Sequence, residues 1–308
     1  MTPARDPAAR EWPTGPGSDP ESAPMQAERE GATEPGRESP PRFGLAKRAL
    51  PRPTNGLEEV GEMVLLAGRT VSSALRPPYP YGGEFVSQFL FVLRLCWLPL
   101  MVSTVCINYA APGLQGANFL TLFGALDRLG GFFVLASIRE LGPDVTAIVI
   151  AGVAGTAITA DLGARKVREE LDALQVLGVD PIKNLVVPRF LALMLATGLF
   201  NIYAILFGIF GGILAEFVNG YPLGPFWNNL FANADTTDMW GSALRATLYG
   251  AMIAVVCCYK GLTASGGAEG VGRAVNQAVV ASFLAFGMFD YVFTQALLAT
   301  HPQILVIK

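Results

Sequence analysis

The chain has 308 residues, of which 52% are hydrophobic and 15% charged, and its mean hydropathy is +0.42. That balance excludes an ordinary soluble domain and points to a polytopic membrane protein. A net charge of −3 with a single histidine excludes a nucleic-acid binder, which needs a basic face.

Residues 1–55 are rich in Pro, Glu, Arg, Gly and Ser and contain almost no aliphatic run. Such a stretch buries too little apolar surface to offset its ordering entropy, so a disordered cytoplasmic tail is predicted. The first strongly apolar run begins near Phe85, so no N-terminal signal peptide is expected. Ahead of it Leu57, Val60, Val64, Val71 and Leu75 recur at helical spacing, with Glu58, Glu59, Glu62 and Arg69 on other faces. This pattern predicts an amphipathic helix in the cytoplasmic membrane interface, stopped by "RPPYP". Residues 56–80 then form an interfacial helix and elbow, and 81–308 the membrane domain.

Five runs reach the roughly 20 apolar residues that a span needs: about 85–111, 132–164, 185–217, 239–259 and 275–300. The predicted fold is therefore an all-α integral membrane protein with about five transmembrane helices. In the second run Pro143 lacks an N–H and crowds the carbonyl of Arg139, which predicts a break at Gly142-Pro143. Ala147, Ala151, Gly155, Thr159 and Gly163 recur every fourth residue, a ridge that lets another helix approach closely. Gly208 and Gly212 repeat the pattern in the third run. Such a ridge serves packing within one subunit or a seam between two. Cys96, Cys106, Cys257 and Cys258 lie in apolar runs without ligand spacing and read as small buried residues.

The stretch "ADLGARKVREELDALQVLGVDP", residues 160–181, is the most charged in the apolar part of the chain. Val167, Leu171 and Leu174 form one apolar stripe on it. Asp180-Pro181 reads as the N-cap and first-turn proline of the next helix. Arg165–Glu169, Lys166–Glu170 and Arg168–Asp172 are spaced i,i+4, but with the base N-terminal, the weaker order. The charges are thus not arranged for local helix stability. A helix that docks a partner protein is expected, the alternative being a solvated loop. No lysine precedes Ser or Thr, so the chain has no phosphate-binding P-loop. ATP-driven transport would need a separate ATPase chain.

Basic residues set the orientation. Lys47, Arg48, Arg52, Arg69 and Arg76 precede the first span. Arg165, Lys166, Arg168, Lys183 and Arg189 lie between the second and third, and Lys260 and Arg273 between the fourth and fifth. The opposite side has Arg128, Arg245 and Lys308. This places the N-terminus in the cytoplasm and the C-terminus outside. Ionisable residues at membrane depth are costly and invite a functional reading. Arg94 snorkels toward the interface. Arg139 and Glu140 fall near the outer end of the second span, beside the Gly-Pro break, as functional groups or as interfacial residues satisfying exposed backbone groups. Asp290 falls near the middle of the fifth, as a structural hydrogen-bonding group or a proton relay.

"RELGPDVTAIVIAGVAGTAITADLGARKVREELDALQVLGVDPIKNLVVPRFLA" (139–192) resembles the signature region of the MlaE/YrbE permeases. "CYKGLTASGGAEGVGRAVNQAVV" (258–280) resembles the segment ahead of their last span. The resemblance covers about residues 57–300. In "GTAITADLGARKVREELDA" and "CYKGLT" it runs most to the A-type YrbE subunit of actinobacterial Mce systems. It implies a non-catalytic permease subunit of an ABC-type lipid transporter in the inner (plasma) membrane. The implied partners are a second YrbE-type permease subunit in a heterodimer, a cytoplasmic ABC ATPase dimer, extracytoplasmic Mce proteins and a membrane lipid. This chain would bind no cofactor; ATP and Mg would sit in the ATPase.

The family's coupling helix maps onto Lys166, Val167, Arg168, Glu169, Glu170, Leu171, Asp172, Leu174 and Leu177. Glu140 matches an acidic residue of the lipid cavity, with Arg139 and Asp290 as further candidates. The long N-terminal tail and the extra charge around "LASIRELGPDV" depart from the family pattern. Two other functions stay open: a proton-coupled secondary transporter using Glu140 and Asp290, and a membrane scaffold anchoring partner proteins.

Overall fold

The computed structural model describes residues 55–76 and 82–301, and every regular element among them is a helix. Helix α1 is Asn55–Leu75. Five long helical runs follow: α2 (Gly82–Leu122), α3 (Leu126–Val167), α5 (Ile182–Val218), α7 (Thr236–Leu262) and α8 (Gly267–Thr300), each long and apolar enough to cross a membrane. Two short helices intervene, α4 (Glu170–Val176) and α6 (Leu223–Asn233). The protein is an all-α integral membrane protein.

Helices α3 and α7 form the buried centre, while α2 and α8 keep one face outward. The main core joins Val92 and Leu100 of α2, Ile150 and Leu162 of α3, Leu193 and Phe200 of α5, and Tyr249 and Ile253 of α7. A second, smaller core packs Leu129 and Phe133 of α3 on Phe226 and Leu230 of α6. Trp97, Leu98, Leu199, Leu206, Phe210 and Met288 point away from both cores and are exposed. In water that belt would drive aggregation; in a bilayer it is the solvated face.

Two expectations about the helices are corrected, and one helix was not expected. The first span does not end at Ala111: Pro112 sits in a π-helical segment, Tyr109–Gln115, and the helix continues to Leu122. The break at Gly142-Pro143 is a change of register, because Val134–Leu141 is π-helical and the Gly142 N–H bonds Ser137 O, five residues back. A π turn absorbs the missing proline donor without ending the helix. Helix α6, which no apolar run announced, closes the end of α3.

The small-residue ridge packs inside the subunit. Ala147, Ala151 and Thr159 are fully buried. Thr159 Oγ1 donates to Cys257 O at 3.2 Å. A Cβ on Gly155 would lie 2.8 Å from Cys257 Sγ, and one on Gly163 3.2 Å from Val271.

Helix α1 turns its polar side to the protein. Glu59 pairs with Lys260, and Tyr259 Oη donates to Glu62 at 2.6 Å. Met63 and Ala67 pack on the main core. Leu57, Val60, Val64, Val71 and Leu75, the predicted stripe, all face outward. An apolar face turned away from the protein suits a helix lying in a membrane interface. The tail predicted at 1–55 lies outside the described residues except for Asn55, as does most of the elbow.

Candidate functional site

The densest polar constellation among the described residues is built around Arg245, whose side chain is 2% exposed inside α7. Its origin is Pro143. Without a proline N–H, the Arg139 carbonyl four residues back lacks its α-helical donor. Arg245 Nη1 supplies one at 2.9 Å. The same nitrogen lies 2.9 Å from Glu140 Oε2 and 3.0 Å from Asp290 Oδ1. Nη2 donates to Thr294 Oγ1 at 2.8 Å, and the guanidinium stands 5.2 Å from the Phe293 ring centroid. Buried charge is tolerable only with this degree of pairing.

Tyr249, one turn along α7, donates to Asp290 Oδ1 at 2.6 Å and lies 3.4 Å from Asp144 Oδ1. Carboxylate oxygens of Glu140, Asp144 and Asp290 all come within 4.8 Å of one another. The Arg139 side chain turns the other way, pairing with Asp238 through Nε at 2.6 Å and Nη2 at 3.3 Å. Asp238 also accepts from the Asp235 N–H in the capping box that starts α7. Four carboxyls thus face two guanidiniums. The Glu140 side chain is 41% exposed and that of Asp290 25%. The cluster therefore opens at one edge while Arg245 stays buried behind.

Of the predicted site residues, Glu140 and Asp290 meet on Arg245, and Arg139 joins through its carbonyl. Sequence reading counted Arg245 only among the basic residues of the outer side; the structure shows it buried within the fourth span and ion-paired. Asp144, Asp238 and Tyr249 were missed as well. The available signal was spacing, since Asp238, Arg245 and Tyr249 lie seven and four apart on one face of α7. Arg189 is likewise no loop charge. It is 1% exposed, bonding Asp161 Oδ2 at 2.7 Å and Leu185 O at 2.8 Å.

At the other end of α3 the expected coupling helix is not one helix. Helix α3 runs to Val167, Glu169 takes a left-handed conformation with φ of 60°, and α4 starts at Glu170. The predicted i,i+4 pairs are consequently replaced. Arg165 pairs with Asp161, Lys166 with Asp172 and Arg168 with Glu170. Leu171 is buried and Leu174 packs on the same core, so this stripe faces the protein itself. The exposed apolar groups are Val167, Val176 and Leu177, the last two at 88% and 76%. Asp180 accepts from the Ile182 N–H at 2.9 Å, as its predicted capping role requires.

The Permease MlaE family profile matches residues 85–296. A probable ABC transporter permease protein of Rickettsia typhi is 31% identical over 241 residues, 78% of this chain and 92% of the relative. The intermembrane phospholipid transport system permease protein MlaE of Haemophilus influenzae is 33% identical over 185 residues, 59% of this chain and 70% of its own. The chloroplastic TRIGALACTOSYLDIACYLGLYCEROL 1 protein of Arabidopsis thaliana is 34% identical over 182 residues, 59% of this chain and 52% of its own.

Proposed function

The chain belongs to the MlaE permease family, and from that premise we propose that it is the membrane subunit of an ATP-driven lipid transporter. A permease role in lipid transport at the inner membrane follows from the family and the five spans. The finer reading is an A-type YrbE subunit paired with a second permease subunit and serving extracytoplasmic Mce proteins. A separate cytoplasmic ATPase binds ATP and Mg and contacts the α3–α4 elbow. In this reading the N-terminus, α1 and the elbow are cytoplasmic, and the Arg245 cluster lies toward the outer side. That orientation is supported by Arg165, Lys166, Arg168, Lys183 and Arg273.

The observation that carries this reading is the exposed tip of α4. Val176 and Leu177 stand out from a turn otherwise held by ion pairs, beside the end of α3, one of the two most buried spans. An ATPase that closes on ATP presses this tip. The elbow passes the load to α3, whose far end carries Arg139, Glu140 and the π turn. A shift there against α7 changes how Glu140 and Asp290 meet a lipid headgroup at the open edge.

The test is co-expression with candidate ATPase and permease subunits, followed by purification and ATP turnover with and without lipid. The wild-type chain should bring down an ATPase whose turnover responds to lipid. Val176→Glu/Leu177→Glu should lose that ATPase while the spans stay folded. ATPase retention by this variant sinks the assignment of the elbow. A proton-coupled carrier is the second reading, favoured by three carboxyls within 4.8 Å of one another, two of them on the Arg245 guanidinium. It requires lipid movement driven by a pH gradient without ATP, lost in Asp290→Asn.

A further inference from the structure

Away from the Arg245 cluster, α7 and α8 form an open groove of about 340 Å³ lined by Lys260, Asn276, Gln277, Val280, Ala281 and Leu284. Fifteen residues of continuous helix separate Arg245 from Lys260, about 22 Å at the rise of an α-helix. The two sites are therefore distinct. The groove is polar at one end only. Asn276 and Gln277, then Val280 and Ala281, then Leu284 climb one face of α8 in successive turns over about 12 Å. Ligand clefts begin at about 300 Å³, so the volume holds a headgroup and the first part of an acyl chain.

The polar end has a definite charge pattern. The Lys260 ammonium bonds the Glu59 carboxylate of α1 and, at 3.2 Å, Gln277 Oε1. One ammonium N–H and the amide N–H groups of Asn276 and Gln277 remain as donors. Beside them the Glu59 side chain is 36% exposed, so a carboxylate is presented too. Positive and negative groups stand side by side with no net charge. An anionic headgroup satisfies the donors and is repelled by Glu59. A zwitterionic one satisfies both, phosphate to the donors and ammonium to Glu59. The outward apolar face of α1 places this end at headgroup level.

We propose that this groove holds one resident phospholipid with a zwitterionic, primary-ammonium headgroup. Its phosphate contacts Lys260, Asn276 and Gln277, its ammonium contacts Glu59, and a chain lies along Val280, Ala281 and Leu284. The inference rests on the membrane-spanning fold and is independent of the ATP-driven reading.

The experiment uses the full-length protein, with the subunits that purify with it, in nanodiscs of equal POPE, POPC and POPG. Retained lipids are read by native mass spectrometry. POPE should be retained over POPG by about fivefold, the scale of one exposed charge contact, and over POPC because only a primary ammonium donates N–H groups to the Glu59 carboxylate. Glu59→Gln should turn the preference toward POPG, while the Glu62–Tyr259 bond still holds α1. Leu284→Trp fills the groove, leaves the ion pair intact and should abolish selective retention, so the proposal stays testable if the α1 variant misfolds. Equal retention of the three lipids overturns the proposal, as does POPE retention indifferent to Leu284→Trp. A disulfide between Val280→Cys copies in native membranes overturns it too, because a second chain then covers the groove.

Discussion

Replacing Arg245 by methionine keeps most of the side-chain bulk and removes the guanidinium that ties α3, α7 and α8 together. Removing one partner of a buried ion pair costs about 3–5 kcal/mol. A carbonyl left without a donor costs about 1–3 kcal/mol, and here the Arg139 carbonyl cannot turn to Pro143. These penalties share one side chain and do not add. Glu140 is the most exposed of the partners, and water screens much of its share. The expected loss is about 3 kcal/mol, roughly a hundredfold in the folding equilibrium. The assay is unfolding in mixed micelles, followed by circular dichroism, of Arg245→Met and of Arg245→Met/Glu140→Gln/Asp290→Asn. Neutralising the stranded acids should recover about half of the loss, because uncompensated charge is its larger part. If the triple variant is no more stable than the single one, the charge argument fails and the side chain acts through packing alone.

Three other outcomes are expected. Gly250→Ala should lose about 1–3 kcal/mol in the same assay, since its Cβ would stand 2.7 Å from Leu193 O and 2.6 Å from Thr197 Oγ1, whereas Gly152→Ala, with open space around it, should be neutral or stabilising. Val176→Glu/Leu177→Glu should change stability by no more than about 0.5 kcal/mol, as exposed positions do, while Leu171→Glu, buried on the same short helix, should expose α4 to rapid hydrogen exchange. Arg189→Met should cost about 3 kcal/mol and speed hydrogen exchange around the elbow, because Asp161 and the Leu185 carbonyl lose their buried donor.

The five spans and the two-sided α1 were legible because both follow from where apolar residues fall along one helix. The Arg245 cluster was not, since it is assembled from α3, α7 and α8. Counting basic residues by side gave Arg245 no role beyond its sign; the rule weighs charge near span ends and is silent on a charge neutralised inside. Glu140 and Asp290 were singled out for their cost at depth, but the group that makes them tolerable lies 105 and 45 positions away in sequence. The elbow was drawn as one helix because its apolar residues keep helical spacing. A left-handed Glu169 is uncommon for a residue with a side chain, and no local signal marks it. Pro143 was read correctly as a disturbance, but periodicity does not distinguish a break from a π turn.

Helix α7 is where the two ends of the molecule become mechanically connected. It holds Asp238, Arg245 and Tyr249 at one end and Tyr259 and Lys260 at the other, with no proline and no π segment between them. Helix α3 differs, with π segments at Val134–Leu141 and Ala151–Gly155. A Cβ on Gly261 would lie 2.8 Å from the Leu162 side chain, and Thr159 bonds Cys257 O. Both contacts lie between the elbow and the first π segment that a load from the elbow would meet. Close-packed surfaces transmit displacement with little compression. In the proposed reading, a push on the elbow would reach α7 through Thr159 and Leu162 before α3 reaches its first soft joint. The Arg245 cluster then receives it along the straighter helix, with Pro143 and the second π turn leaving Glu140 free to shift against it.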